Sequence, residues 1–344
     1  MGDPAGISAE IVIKAFVALA RGKQPLARQI RRSLRKECAN LSVVGDEGVL
    51  AEAVRRLRQR IPVTPVQNLS TAWLAPTALR LFAHSHIDMR RFRFGRPAYG
   101  REQLGYLDFA IEQARHHRIA AIVTGPVTKE AVAALIPDFV GHTGYLAEKL
   151  GARDERMAFL TPEYLLALQT THIPLCQVSG HLTVAGLLTS LEMLEEAGRA
   201  RWGRKLPVAV LGLNPHAGEH GLMGDEEARV IVPAMQRARR KGIACDGPFP
   251  ADSFFIERWR RYQLILAMYH DQGLIAVKPA FPRASVNVTL GLPVVRTSVD
   301  HGSGYDIAGR GIASEVSLLH AIKAAIELLR PLPVDLGKHS VRAL

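Results

Sequence analysis

What most constrains this chain is how its apolar runs end. LSVV (41–44), IAAIV (119–123), LLALQ (165–169), PVAVLGL (207–213), QLILAM (263–268) and PVVRTS (293–298) are short and strand-like, and each soon gives way to Gly, His, Asn, Asp or Thr. Stretches of helical periodicity lie between and beyond them. One is 50–61, where Leu50, Ala53, Val54, Leu57 and Ile61 share a face; others are 101–117, 182–197, 225–241 and 314–330. This alternation predicts an α/β fold with largely parallel strands. Ligands of open α/β sheets bind beyond the carboxyl ends of the strands, so the polar clusters there are where chemistry is expected.

Composition narrows the setting. A chain of 344 residues, 48% of them hydrophobic, can bury a large core and suggests two domains or one large α/β unit. No apolar run approaches the roughly 18–20 residues of a membrane span, and no charged-then-apolar leader opens the sequence. We therefore expect a soluble cytoplasmic protein. Cys38, Cys176 and Cys245 form no CxxC pair and fit a reducing compartment. The net charge is +12. Much of the excess lies in Arg28, Arg31, Arg32, Arg35 and Lys36, in Arg55 to Arg60, and in Arg237 to Lys241, at the spacing of solvated helix faces. Without aromatic residues between them, these stretches argue against nucleic acid, and their field favours anionic, phosphorylated ligands.

Three strand ends carry histidine: Thr170-Thr171-His172, Asn214-Pro215-His216 and Tyr269-His270-Asp271. Three neutral imidazoles suit a divalent first-row ion and leave positions open for substrate oxygens. Each could equally be a polar loop residue satisfied by backbone groups, and no local metal motif such as HExxH decides the matter. Gly141-His142-Thr143-Gly144 stands before a helix. It reads either as a phosphate cradle or as a simple Thr143 N-cap. Lys278, Asn287 and Arg296 supply further donors, Arg296 in a form suited to bidentate anion binding. The run Asp300-His301-Gly302-Ser303-Gly304-Tyr305-Asp306-Ile307-Ala308-Gly309 has GxGxxxxG spacing, which does not support a Rossmann fingerprint.

The segments GDPAGI (2–7), TGPVTK (124–129), GHT (141–143), TTHIPL (170–175), NPHAGE (214–219), PAD (250–252), YHDQG (269–273) and VNVTLGLPVVRTSVDHG (286–302) resemble the 4-hydroxythreonine-4-phosphate dehydrogenase (PdxA) family, in the family's order. The resemblance implies an isocitrate/isopropylmalate dehydrogenase-like fold, two α/β domains flanking a cleft. We expect residues 1–125 with 297–344 on the cofactor side and 126–296 carrying metal, substrate and dimer contacts. It implies a homodimer with a shared active site, and metal ligands at His172, His216 and His270. His142, Thr143, Lys278, Asn287 and Arg296 correspond to substrate contacts. Asp300, His301, Gly302 and Asp306 lie in a loop similar to the adenosine-binding loop of isopropylmalate dehydrogenases. The candidates for catalytic acid or base are Lys278, Asp252 and Asp271.

The activity so implied is NAD- or NADP-linked oxidation, with decarboxylation, of 4-phosphohydroxy-L-threonine to 3-amino-2-oxopropyl phosphate, aided by Zn, Mg, Mn or Co. Family branches acting on D-erythronate or D-threonate 4-phosphate are the alternative. A phosphate acyltransferase, a class that shares this fold, would need neither three histidines nor NAD. The sequence departs from the family in three places. Ser8-Ala9 stand where Gly-Pro is usual, and 22–37 is an unusually basic insertion. A strand is also expected before GDPAGI, which points to a misassigned or truncated start.

Overall fold

The computed structural model describes residues 1–69, 75–136, 139 and 141–329. Its strands are β1 (Val43–Asp46), β2 (Val63–Pro65), β3 (Leu79–Ser85), β4 (Ala121–Thr124), β5 (Arg156–Leu160), β6 (Leu165–Leu168), β7 (Val208–Leu211), β8 (Cys245–Phe249), β9 (Leu264–Ala267), β10 (Val286–Leu290) and β11 (Val295–Ser298). The chain separates into two compact units, Met1–Arg153 with Leu292 onward, and Asp154–Gly291. The expected crossings were 125/126 and 296/297, so the segment bearing His142 and Thr143 falls in the first unit, as does Arg296. No helix among the described residues is long and apolar enough to cross a membrane.

In the first unit, β3 pairs in parallel with β1 on one side and β2 on the other, and β4 pairs in parallel with β11. The helix Ser8–Arg21 is apolar on most sides, and its Ile11, Ile13 and Leu19 are fully buried in the core of this unit. The basic segment expected as an insertion is an amphipathic helix, Pro25–Lys36, with proline in its first turn. Ala27, Ile30 and Leu34, spaced three and four apart, enter the core while the arginines face outward, as a 3.6-residue period requires. Asp46 ends β1 and caps the helix Glu47–Arg56: Val49 N donates to its Oδ1 at 3.0 Å. Its other oxygen accepts from Ser85 Oγ at 2.9 Å and Ile87 N at 2.8 Å, which satisfies a buried carboxylate. At the start of the chain the Met1 ammonium donates to Val44 O at 2.6 Å, and burial pushes its pKa down to about 5.

The second unit is built on one mixed sheet in the order β10-β5-β6-β9-β7-β8. Strand β5 runs antiparallel to β10 and β6; the pairs β6–β9, β9–β7 and β7–β8 are parallel. The central strands β6, β7 and β9 are buried at every position, as continuous apolar runs in a covered parallel sheet should be. The helix Val184–Trp202 starts at Thr183, whose side chain accepts from Gly186 N, and stops at left-handed Gly203.

Candidate active site

Strand order explains how the three histidines come to one side of the second unit. Strand β9 lies between β6 and β7, all three run in parallel, and a histidine follows the carboxyl end of each. Side chains tie those ends together. Thr170 Oγ1 donates to Met268 O at 2.8 Å, joining the ends of β6 and β9. Gln272 Oε1 accepts from Met268 N at 2.7 Å while its Nε2 donates to Gly212 O at 2.7 Å, joining β9 to β7. The rings of His172 and His270 stand 5.8 Å apart, a separation at which both can face one ion. His270 Nδ1 lies 2.7 Å from Asp271 Oδ1; such a contact fixes the ring and leaves Nε2 as the free donor atom.

His216 is presented differently. Residues 216 to 220 all have positive φ, from 40° at Glu219 to 79° at Gly218. For the non-glycine residues this costs roughly 1–2 kcal/mol each. In this loop His216 Nδ1 lies 3.5 Å from Glu219 Oε2. Among the described residues no three His, Cys, Asp or Glu side chains are grouped to hold a metal ion. The donor chemistry of the histidine set fits a divalent ion and the His172–His270 pair fits it in geometry, while the third imidazole is carried on a separate loop. Asp252, Asp271 and Lys278 are all exposed: Lys278 is in the helix His270–Ala280, Asp271 in its first turn, and Asp252 in the short helix Ala251–Phe254. Asn287 lies in β10, in register with Phe159 of β5.

The first unit gathers the other candidates. Arg296, in β11, is 3% exposed, so a permanent cation is held almost out of water. Its Nη2 donates to Thr124 Oγ1 at 3.0 Å, a contact that the parallel β4–β11 pairing makes possible, and to His142 Nδ1 at 3.3 Å. Burial pushes the Arg296 pKa down to about 10. The His142 imidazole lies well below its ordinary range, first through burial and then through the Arg296 charge. The helix His142–Leu150 starts from Gly141 (φ 140°) without a side-chain cap, so Thr143 lies within it and is not its N-cap.

Three glycine-rich segments of this unit meet at Asp3. Its Oδ1 accepts from Ala5 N at 2.8 Å, its Oδ2 lies 2.5 Å from Thr128 Oγ1, and Tyr305 OH donates to the same oxygen. Ser303 Oγ sits 2.8 Å from Thr128 Oγ1, and Ile7 N donates to Ser303 O at 2.9 Å. A Cβ on Gly6 would stand 2.6 Å from Ser303 O, so only glycine lets the GDPAGI turn approach the 300–309 loop. Asp300, His301, Gly302 and Asp306 are all in that loop, where His301 Nδ1 lies 3.1 Å from Gly302 O. Sequence reasoning marked the three segments and passed over Asp3, Thr128, Ser303 and Tyr305, whose only signal was membership in those motifs. Thr124 and Gln272, also passed over, lie in TGPVTK and YHDQG.

Two α/β units, one with a buried arginine beside a half-buried histidine and the other with paired strand-end histidines, define the class as an α/β ligand-binding protein with its functional groups at strand ends. The model of the pyridoxal phosphate biosynthetic protein PdxA matches residues 36–325, and the chain belongs to that family. A 4-hydroxythreonine-4-phosphate dehydrogenase of Desulforapulum autotrophicum is 37% identical over 329 residues, 94% of this chain and 93% of the relative. A protein of Fusobacterium nucleatum named as a candidate D-threonate 4-phosphate dehydrogenase is 33% identical, covering 94% of each chain. Among solved structures, the 4-hydroxythreonine-4-phosphate dehydrogenase of Klebsiella pneumoniae superposes with a TM-score of 0.82 at 32% identity, covering 96% of this chain and 97% of that one.

Proposed function

We propose that this protein is a 4-hydroxythreonine-4-phosphate dehydrogenase. It oxidises the secondary alcohol of 4-phosphohydroxy-L-threonine with NAD⁺ and releases CO₂, giving 3-amino-2-oxopropyl phosphate. The observation that carries this reading is the buried Arg296 paired with His142, in a chain of this family. A buried guanidinium offers an anion a strong, charge-assisted partner. We assign His142, Thr143 and Arg296 to the anionic part of the substrate, with Lys278 and Asn287 as further donors. Asp300, His301, Gly302 and Asp306 hold the dinucleotide, on a loop anchored by Asp3.

We assign a divalent ion to His172, His216 and His270; when bound, it supplies Lewis-acid stabilisation of negative charge on the substrate oxygen. Asp271 orients the His270 ring. Hydride leaves the carbinol carbon for NAD⁺ and the hydroxyl proton goes to a base, for which Asp252, Asp271 and Lys278 remain the candidates. Loss of CO₂ from the resulting β-keto acid leaves an enolate that takes up a proton.

We further propose a cytoplasmic homodimer with a shared active site. Support comes from the second unit, where Leu175, Leu222, Met223, Ile256 and Ile275 are large, exposed and apolar. The first three lie close in sequence to His172 and His216. Mixing inactive His216→Ala and His270→Ala proteins should restore activity through hybrid dimers, and an active monomer by sedimentation would contradict the shared site. The substrate is tested by following NADH with 4-phosphohydroxy-L-threonine, D-threonate 4-phosphate and D-erythronate 4-phosphate. The first should have the highest kcat/KM; preference for either of the others would move the protein to that branch.

A further inference from the structure

We propose that Glu227 is the positioning residue that holds the His216 loop in its metal-presenting shape, an inference that rests on the reading of His216 as a ligand. Glu227 is 6% exposed, and its side-chain oxygens accept from one short segment, residues 213–214. Its Oε1 accepts from Leu213 N and from Asn214 N, each at 2.8 Å, and its Oε2 accepts from Asn214 Nδ2 at 2.9 Å. These donors flank the point where β7 ends and the loop begins. The loop also closes over the carboxylate. A Cβ on Gly218 would stand 2.7 Å from Glu227 Oε2, and one on Gly212 would stand 3.2 Å from Oε1.

The backbone beyond Asn214 is left-handed from His216 to His220, a conformation that persists only where its surroundings over-determine it. Glu227 supplies that constraint from outside the loop. It begins a π-helical turn, Glu227–Ile231, a rare geometry that often occurs at functional sites. Its neighbour Glu226 adds a second anchor: Asn214 Nδ2 donates to Glu226 Oε2 at 2.7 Å, and Ser179 Oγ donates to Glu226 Oε1 at 2.5 Å. Glu227 thus acts on the ion through His216 and makes no direct contact with it.

The probe is Co²⁺, whose visible absorption reports its ligands, titrated into the full chain stripped of metal. Wild type is compared with Glu227→Gln, Glu227→Asp and His216→Ala, and unfolding is checked by calorimetry in each. We expect Glu227→Gln to weaken Co²⁺ binding about ten- to a hundred-fold, as loss of an outer-shell partner does. Its spectrum should shift toward that of His216→Ala. Hydrogen exchange without metal should quicken at 213–222 while the β6 and β9 amides stay protected. Glu227→Asp keeps the charge and should fall between wild type and Glu227→Gln; it replaces the latter if that variant fails to unfold cooperatively. Wild-type affinity and spectrum in both Glu227 variants, with Co²⁺ binding lost in His216→Ala, would overturn the positioning role alone. Wild-type binding in His216→Ala as well would overturn the ligand assignment and the positioning role together.

Discussion

Arg296 Nη2 donates to His142 Nδ1 across 3.3 Å, and because the guanidinium has no lone pair to offer, this ring nitrogen must be the acceptor and His142 must be neutral with its proton on Nε2. Burial and the Arg296 charge both disfavour the imidazolium. Below the free-histidine pKa of about 6.5 the unfolded chain therefore binds a proton here that the folded chain refuses, and stability falls as the pH drops through that value. His320, also lowered by burial, and the Met1 ammonium act in the same direction, so the contribution of His142 is isolated by difference. The fall in Tm between pH 7.5 and pH 5 should be smaller in His142→Gln than in wild type. An equal fall would mean that His142 is protonated in the folded protein.

Arg296→Lys keeps a cation but gives up the planar fork that reaches Thr124 and His142. A charge-assisted contact contributes about 1.5–3 kcal/mol, so kcat/KM for the phosphorylated substrate should fall roughly ten- to a hundred-fold. The dephosphorylated hydroxy acid, poor to begin with, should lose much less. Equal losses for the two substrates would remove Arg296 from the phosphate.

Asp3→Asn should loosen the 300–309 loop, because an amide in place of the carboxylate takes one acceptor from the Thr128 and Tyr305 hydroxyls. We expect the KM for NAD⁺ to rise several-fold with little change in the KM for substrate. A kcat defect at unchanged cofactor KM would place Asp3 elsewhere in the chemistry.

The α/β class and the central strands were legible because β6, β7 and β9 are continuous apolar runs that end in polar clusters. Strands β5 and β10 were not. Arg156–Leu160 and Val286–Leu290 mix polar with apolar residues, and their antiparallel pairing follows from long-range contacts that no local period records. The three strand-end histidines were visible as a set, yet the left-handed path at His216 was not. None of His216, Ala217, Glu219 and His220 is a residue that announces positive φ, and the carboxylate beneath the loop comes from a later helical turn.

Gly100 tests the packing independently of any ligand. A Cβ there would lie 1.9 Å from Ala131 O, a backbone atom that cannot swing aside. Gly100→Ala should destabilise the fold by about 1–3 kcal/mol, as overpacking does, despite alanine's better helix propensity. An unchanged or higher midpoint in a denaturant titration would show that the helix Gly100–Arg115 and the segment at Ala131 are not in this contact.

The most direct test of the central claim is a single stoichiometric assay of the purified protein with 4-phosphohydroxy-L-threonine and NAD⁺. NADH and CO₂ should form in a one-to-one ratio. Exhaustive chelation should abolish both and readdition of a divalent ion should restore both, while His216→Ala protein stays inactive throughout. Full turnover after chelation, or NADH without CO₂, would contradict the account.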